Sequence, residues 1–215
     1  MQGRLPFATS RVVVVSDFNC PYCFTLNEWV TDLGLSSHVR WIGVEHRAAL
    51  PRFGQNNREE TETLATEVAD IQARAPEVRV VKPARWTNSR EALLIQNAVE
   101  DEYPELAAEL RTRIFRAYWQ ESLEISDREL LVELLTGLGI AEVESELEHL
   151  EALTTWWAKE VDRIPCMVAP TGIWHLGLQN RMAVKSFINS ALHPADDGPG
   201  CTTGSRSVGG RNDSR

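Results

Sequence analysis

A run of β-branched apolar residues followed by helical spacing stands near the start of the sequence. Residues 11–16 read Arg-Val-Val-Val-Val-Ser, which predicts a short buried strand. A helix is predicted to begin near Cys20 and to end around Gly34, because glycine suits the residue that follows a helix. The stretch HVRWIGVEH, residues 38–46, predicts a second strand. Together these elements predict a right-handed βαβ unit.

Helical spacing replaces this pattern over residues 58–157. Five consecutive segments there carry apolar residues three and four positions apart, which predicts roughly five helices. Ser89 is a start signal for one of them, and Ser126 with Glu129 predicts a capping box at another.

Strand-like character returns after the helical region. Residues 164–170 and 172–176 predict two short strands joined by a tight turn. Residues 180–192 predict a final helix, with Met182 among its apolar members. Beyond residue 192 the chain is rich in Gly, Ser and Asp, so residues 193–215 are predicted to be disordered.

Composition excludes several classes of function. The chain has 215 residues, of which 43% are hydrophobic and 25% charged, as in ordinary globular proteins. Its net charge of -9 argues against a nucleic-acid partner, which requires clustered Lys and Arg. No apolar run reaches the length of a membrane span, and the first residues lack the pattern of a secretory signal. We therefore expect a cytoplasmic protein without a membrane partner.

Two of the four cysteines stand three residues apart, in the sequence Cys20-Pro-Tyr-Cys23. In a reducing compartment such a pair is catalytic or metal-binding rather than a structural disulfide. A closed zinc site needs four ligands, and the sequence has no second pair of this kind and no histidine near the first. A pair of cysteines beside a βαβ pattern favours redox chemistry, so no metal site is predicted.

The position of Cys20 at the start of a helix gives it a chemical role. Pro21 suits the first helical position, where its missing N–H is not needed. Cys20 then faces free backbone N–H groups and the positive end of the helix dipole, which favour a thiolate. Cys23 lies nearly one turn further on, so its sulfur can reach back to Cys20 but is better buried. We predict Cys20 as the attacking thiolate, Cys23 as the resolving thiol, and Tyr22 as a residue that tunes the surroundings of Cys20.

Three stretches together resemble the DsbA family of thioredoxin-fold proteins, and are most similar to its FrnE-like cytoplasmic branch. They are VVVVSDFNCPYCF, SLEISDRELLVELLTGLGI and RIPCMVAPTGIWHLGLQNRMAVKSFI. The resemblance covers nearly all of residues 11–192. It implies an α/β fold with a thioredoxin-like core, a central β-sheet flanked by helices, and an inserted all-α helical subdomain. The implied division is residues 1–57 and 161–192 for the core, 58–160 for the insertion and 193–215 for the tail.

The resemblance also implies the site. It makes Cys20 the nucleophile, Cys23 the resolving cysteine and Pro165 a cis proline beside them. In such folds the residue before the proline, here Ile164, leaves its backbone free to pair with an incoming peptide or glutathione. An ordinary trans proline at the start of a strand is the alternative. The predicted active-site loop residues are Pro21, Tyr22, Ile164 and Pro165.

Three functions follow from these residues. The first is a thiol–disulfide oxidoreductase with a redox-active Cys20–Cys23 disulfide and no other cofactor, acting on protein or glutathione thiols and disulfides as a monomer or homodimer. The second is a glutathione-dependent transferase or isomerase of the kappa or hydroxychromene-carboxylate isomerase type. Those relatives carry Ser where Cys20 stands, which argues against the isomerase. The third is a metal- or partner-binding module that uses Cys20, Cys23 and Cys166.

The remaining candidates are expected to be structural. Cys166 follows the proline, where the family commonly has Thr or another small residue, and is expected to be buried as a small hydrophobe. Trp156 and Trp157 are expected to pack in the core, with a hydrophobic substrate wall as the alternative. The five histidines fall on separate elements, and none is assigned a role.

Overall fold

The structure is a computed structural model that describes residues 9–47, 50, 56–141, 143 and 147–192. The predicted disordered tail, residues 193–215, lies outside the described residues. The elements in chain order are β1 (Val12–Ser16), α1 (Pro21–Asp32), β2 (Val39–Gly43), α2 (Arg58–Arg74), α3 (Arg90–Glu102), α4 (Pro104–Trp119), α5 (Arg128–Thr136), α6 (Leu147–Glu160), β3 (Cys166–Val168), β4 (Trp174–Leu176) and α7 (Arg181–Leu192).

The four strands form one mixed sheet in the order β2-β1-β3-β4. β1 and β2 run parallel, β3 is antiparallel to β1, and β4 is antiparallel to β3. All five residues of β1 are buried, which explains why its sequence is a continuous apolar run rather than an alternation. The sheet and its helices confirm the predicted α/β class and the βαβ unit.

Helices α2 to α6 follow one another between β2 and β3, as the spacing predicts. α4 supplies aromatic side chains to the packing around α1. The Phe115 ring lies 4.7 Å from that of Phe18, and the Trp119 ring stacks 6.4 Å from that of Phe24. No helix in the described part of the chain is long and apolar enough to cross a membrane. The division into core and insertion at residues 57 and 160 stays a prediction.

A buried polar cluster also joins α4 to the core. The Arg111 Nε donates to the Asn27 Oδ1 at 2.8 Å. The same guanidinium lies 3.9 Å from the Glu100 carboxylate and 4.3 Å from the centre of the Trp41 ring. A buried guanidinium is tolerated when it is paired in this way, and the cluster ties α4 to α1, α3 and β2.

The predicted cap of α5 is wrong, and one apolar residue of α7 is exposed. The cap of α5 is Asp127, which accepts from the Glu129 N–H, while the Ser126 hydroxyl donates to Glu124. Asp127 lies one residue nearer the helix than Ser126. Its carboxylate caps α5 because it is a charged acceptor at the positive end of the helix dipole. Met182, one of the predicted apolar residues of α7, is exposed, with an exposed fraction of 68%. α7 buries Val184 and Ile188, four residues apart, and a residue two positions before Val184 lies on another face.

Gly43 lies where β2 meets α3, and we expect it to tolerate no side chain. A Cβ there would lie 2.7 Å from the Leu93 Cδ2 and 3.2 Å from the Leu93 Cβ. Asn97 also bonds to both the N–H and the C=O of Gly43, which limits relaxation. Gly43→Ala should lower the free energy of unfolding by about 1–3 kcal/mol, measured by urea denaturation.

The matched control is Gly137→Ala at the end of α5. Gly137 has helical backbone angles, and the nearest atom to an added Cβ is the flexible end of Arg113, at 3.0 Å. This variant should lose much less stability. Equal losses at the two positions would contradict the packing argument.

Candidate active site

Cys20 is the N-cap residue of α1, as predicted, and Pro21 occupies the first turn. The Cys20 Sγ accepts a hydrogen bond from the Cys23 backbone N–H at 3.4 Å. The sulfur therefore takes the place of the oxygen that usually caps a helix. Cys20 is 7% exposed, whereas Cys23 is 0% exposed.

The surroundings of Cys23 keep its thiol protonated. Burial, together with a hydrogen bond to the Cys20 sulfur and the negative charge of that sulfur, raises the pKa of the Cys23 thiol. The Cys23 thiol therefore stays protonated and donates a hydrogen bond to the Cys20 Sγ. The Cys23 backbone N–H and the Cys23 thiol both donate to the Cys20 Sγ.

The Ile164–Pro165 peptide bond is cis, as expected. It directly precedes β3, and the Pro165 C=O accepts from the Gly177 N–H at 2.8 Å. Ile164 lines a cavity of about 260 Å³ together with Cys20 and Tyr22. Three of the predicted site residues thus share one cavity, while Pro21, Cys23 and Pro165 do not line it.

Seven residues of this cavity wall were not found by sequence reasoning. They are Asp17, Asn19, His46, Arg47, Glu67, Asp162 and Arg163. No histidine is near the cysteine pair along the chain, but His46 lines the same cavity as Cys20. Asp17 follows β1 and His46 follows β2, and the carboxyl ends of parallel strands meet at one edge of a sheet. The predicted parallel pairing of β1 and β2 was therefore the sequence signal that could have placed Asp17 and His46 at the site.

A buried carboxylate organises the loop before Cys20. Asp17 accepts hydrogen bonds from the Ser89 hydroxyl at 2.6 Å, from the His46 N–H at 2.8 Å and from the Asn19 N–H at 3.0 Å. Burial raises the pKa of Asp17, and these three hydrogen bonds oppose that rise. Ser89, the predicted start signal of α3, makes no side-chain cap bond, because its hydroxyl donates to Asp17 instead.

The next two residues of this loop are also held from the helical region. The Asn19 Nδ2 donates to the Thr87 C=O at 2.6 Å, and the Thr87 N–H donates to the Asn19 Oδ1 at 3.2 Å. The Trp119 Nε1 donates to the Phe18 C=O at 2.8 Å. All three residues between β1 and Cys20 are therefore positioned by residues that lie 68 or more positions away in sequence.

Tyr22 is fixed from α2. Its hydroxyl donates to Asp70, and burial, followed by this hydrogen bond, raises the pKa of Tyr22 well above its ordinary value. The Arg74 guanidinium lies 5.8 Å from the centre of the Tyr22 ring and 3.3 Å from the Asp70 carboxylate. Arg74 also donates to the Leu178 C=O at 2.7 Å, so α2 connects Tyr22 to the loop before α7.

Cys166 is buried, as expected. Burial, followed by the charge of Asp162, raises the pKa of the Cys166 thiol to about 12, which leaves it protonated and unreactive near neutral pH. Among the described residues, no group of three or more His, Cys, Asp or Glu side chains is arranged to hold a metal ion. Trp157 is fully buried beside Trp174, which confirms core packing for it.

A family model described as a DSBA-like thioredoxin domain matches residues 11–153. The sequence matches no curated protein at a significant level. Among solved structures, a candidate protein disulfide isomerase from Nitrosomonas europaea is similar with a TM-score of 0.69 at 14% identity, over 85% of this chain and 97% of that one. The cytosolic disulfide reductase DsbM from Pseudomonas aeruginosa is similar with a TM-score of 0.66 at 17% identity, over 86% of this chain and 100% of that one. A 2-hydroxychromene-2-carboxylate isomerase is similar with a TM-score of 0.57 at 19% identity, over 83% of this chain and 94% of that one.

The different burial of the two sulfurs predicts a selective alkylation. In the reduced protein, iodoacetamide near neutral pH should modify Cys20 and leave Cys23 and Cys166 largely unmodified, because thiolates are the reactive form. Peptide mapping by mass spectrometry measures this, in a chain carrying Cys201→Ser so that only these three sulfurs compete. Labelling of Cys23 at the same rate as Cys20 would contradict the assignment.

Asp17 should give stability a pH dependence of definite sign. Burial holds its pKa above the unfolded value of about 3.9, so just above that pH the folded state binds more protons than the unfolded chain. The free energy of unfolding of the wild type should therefore fall, relative to that of Asp17→Asn, as pH rises from about 4. Urea unfolding of both proteins across this range checks the sign. A wild type that gains stability relative to the variant would overturn it.

Proposed function

The chain belongs to the DSBA-like thioredoxin domain family, and from this premise we propose that it is a thiol–disulfide oxidoreductase acting through Cys20 and Cys23. The observation that carries the proposal is the asymmetry of the two sulfurs. Cys20 caps the helix and faces the cavity, whereas Cys23 is buried behind it with a raised pKa. One sulfur can therefore attack while the other waits as a protonated thiol.

The proposed reaction balances in two steps. The Cys20 thiolate attacks one sulfur of a substrate disulfide, which forms a Cys20–substrate disulfide and releases the other substrate sulfur as a thiolate. Cys23 then gives up its proton, which the first released thiolate takes up, and attacks the Cys20 sulfur. This forms the Cys20–Cys23 disulfide and releases the second substrate thiolate. The substrate gains two electrons and the protein loses two. The reverse sequence oxidises a dithiol.

The residues around Cys20 have supporting roles in this proposal. The hydrogen bonds of Asp17 and Asn19 hold the loop that aims Cys20 into the cavity. Tyr22 lines the cavity together with Cys20 and is held there by Asp70. Ile164 lines the same cavity, and in this proposal its backbone pairs with an extended substrate.

Glutathione is the co-substrate we propose beside protein thiols. The fold likeness to DsbM, which is also known with bound glutathione, supports this choice, with a TM-score of 0.63 at 17% identity. The same likeness to a cytosolic enzyme supports a cytoplasmic location, and the FrnE-like branch stays a prediction. The isomerase likeness keeps a glutathione-dependent isomerisation as the second candidate, which a reactive cysteine at position 20 disfavours.

Insulin reduction by dithiothreitol tests the proposal. Cys20→Ser should abolish the catalysed rate. Cys23→Ser, incubated with insulin in the absence of dithiothreitol, should retain the first exchange and accumulate a mixed disulfide with substrate, visible by mass spectrometry. Cys166→Val, a nearly volume-conserving change at a buried thiol outside the cavity wall, is the control that should keep activity. Full activity in Cys20→Ser would end the proposal.

A further inference from the structure

The charged residues at the cavity mouth differ in whether they have partners. The Arg47 guanidinium lies 3.2 Å from the Glu67 carboxylate and 4.2 Å from the centre of the Trp86 ring, so both its charge and its face are occupied. Arg163 and Asp162 line the same cavity and are exposed. Neither makes an ion pair or a side-chain hydrogen bond anywhere in the described part of the chain.

The backbone holds Arg163 at this mouth. Arg163 directly precedes Ile164 of the cavity wall. Its Cδ would lie 3.4 Å from a Cβ built at Gly177, a residue with φ +72, so the side-chain stem runs along a turn that has no side chain of its own. Gly177 in turn donates its N–H to the Pro165 C=O. The aliphatic part of Arg163 thus lies against the Gly177 turn, and its exposed guanidinium is available to a ligand.

We propose that Asp162 and Arg163 form a recognition site for short peptide disulfides that carry a free carboxylate and a free ammonium group. Arg163 binds the carboxylate and Asp162 the ammonium, and the bound disulfide lies beside Cys20. The proposal rests on the proposed exchange function and adds to it the two residues that recognise the charges of the substrate. Glutathione disulfide has this chemistry and serves as the probe.

Cavity size and charge fit this class of substrate. The cavity of about 260 Å³ is smaller than the roughly 300–1,000 Å³ typical of pockets for drug-sized ligands, so it holds only the few atoms around a disulfide. Two adjacent side chains of opposite charge, each without a partner, match a ligand that carries both charges. Arg163 also offsets the repulsion between an anionic ligand and a chain whose net charge is -9.

The test measures the oxidation rate of the reduced protein by three disulfides. Glutathione disulfide carries carboxylates and ammonium groups, cystamine carries ammonium groups only, and hydroxyethyl disulfide is neutral. Each oxidises the Cys20–Cys23 dithiol by two electrons and is released as two thiols, so the chemistry is the same for all three. Rapid acid quenching and mass spectrometry give the rates.

Arg163→Gln should slow oxidation by glutathione disulfide about fivefold, the typical effect of losing one exposed ion pair, and leave hydroxyethyl disulfide unchanged. Asp162→Asn should slow cystamine and leave hydroxyethyl disulfide unchanged. Arg79→Gln, which makes the same change of net charge at an exposed arginine outside this cavity, should alter none of the three rates. Titration with S-methylglutathione, which cannot exchange, should show weaker binding to Arg163→Gln than to the wild type.

Several results would overturn the inference. If Arg163→Gln slows all three disulfides equally, the residue acts on Cys20 and not on the substrate charge. If Arg79→Gln has the same effect as Arg163→Gln, net charge alone is responsible. In both cases the wild type still exchanges, so the proposed function survives. A wild type that reacts with none of the disulfides overturns the proposed function and this inference together.

Discussion

The hydrogen bonds to the buried carboxylate of Asp17 are the constraint on which the candidate site depends. An ionisable group in a dry interior is costly unless its oxygens are satisfied, and here a hydroxyl and two backbone N–H groups satisfy them. These donors come from the residue directly before α3, from the segment after β2 and from the loop itself. The carboxylate therefore fixes the positions of three chain segments around the start of α1.

The chemistry of the cysteine pair follows from this placement. With the loop held, α1 begins at one defined residue, and its first turn places Cys20 at the cavity and Cys23 in the core. Burial penalises a thiolate at Cys23, whereas Cys20 lines the cavity at the N-terminus of α1. The helices between β2 and β3 contribute to this result, because Thr87, Ser89 and Trp119 hold the loop from that region.

Features that depend on local sequence could be predicted. The capping position of Cys20, the buried strand β1 and the succession of five helices follow from residues within one turn or one strand of each other. The network around Asp17 could not be predicted, because Ser89 stands 72 positions away and looked like an ordinary helix start. The cap of α5 was predicted at Ser126, one residue too early, because the Asp127 carboxylate next to it accepts the hydrogen bond instead. The proposed role of Arg163 could not be predicted from the sequence, because it depends on a cavity that only the folded chain forms.

The central claim is that Cys20 and Cys23 form a reversible redox pair while Cys166 stays reduced. Equilibration with glutathione redox buffers, acid quenching and disulfide mapping test it most directly, in a chain carrying Cys201→Ser. The account predicts one two-electron transition, in which a Cys20–Cys23 disulfide is converted to two thiols and Cys166 is unmodified throughout. A substantial Cys20–Cys166 disulfide, or an oxidised protein without a Cys20–Cys23 bond, would contradict it.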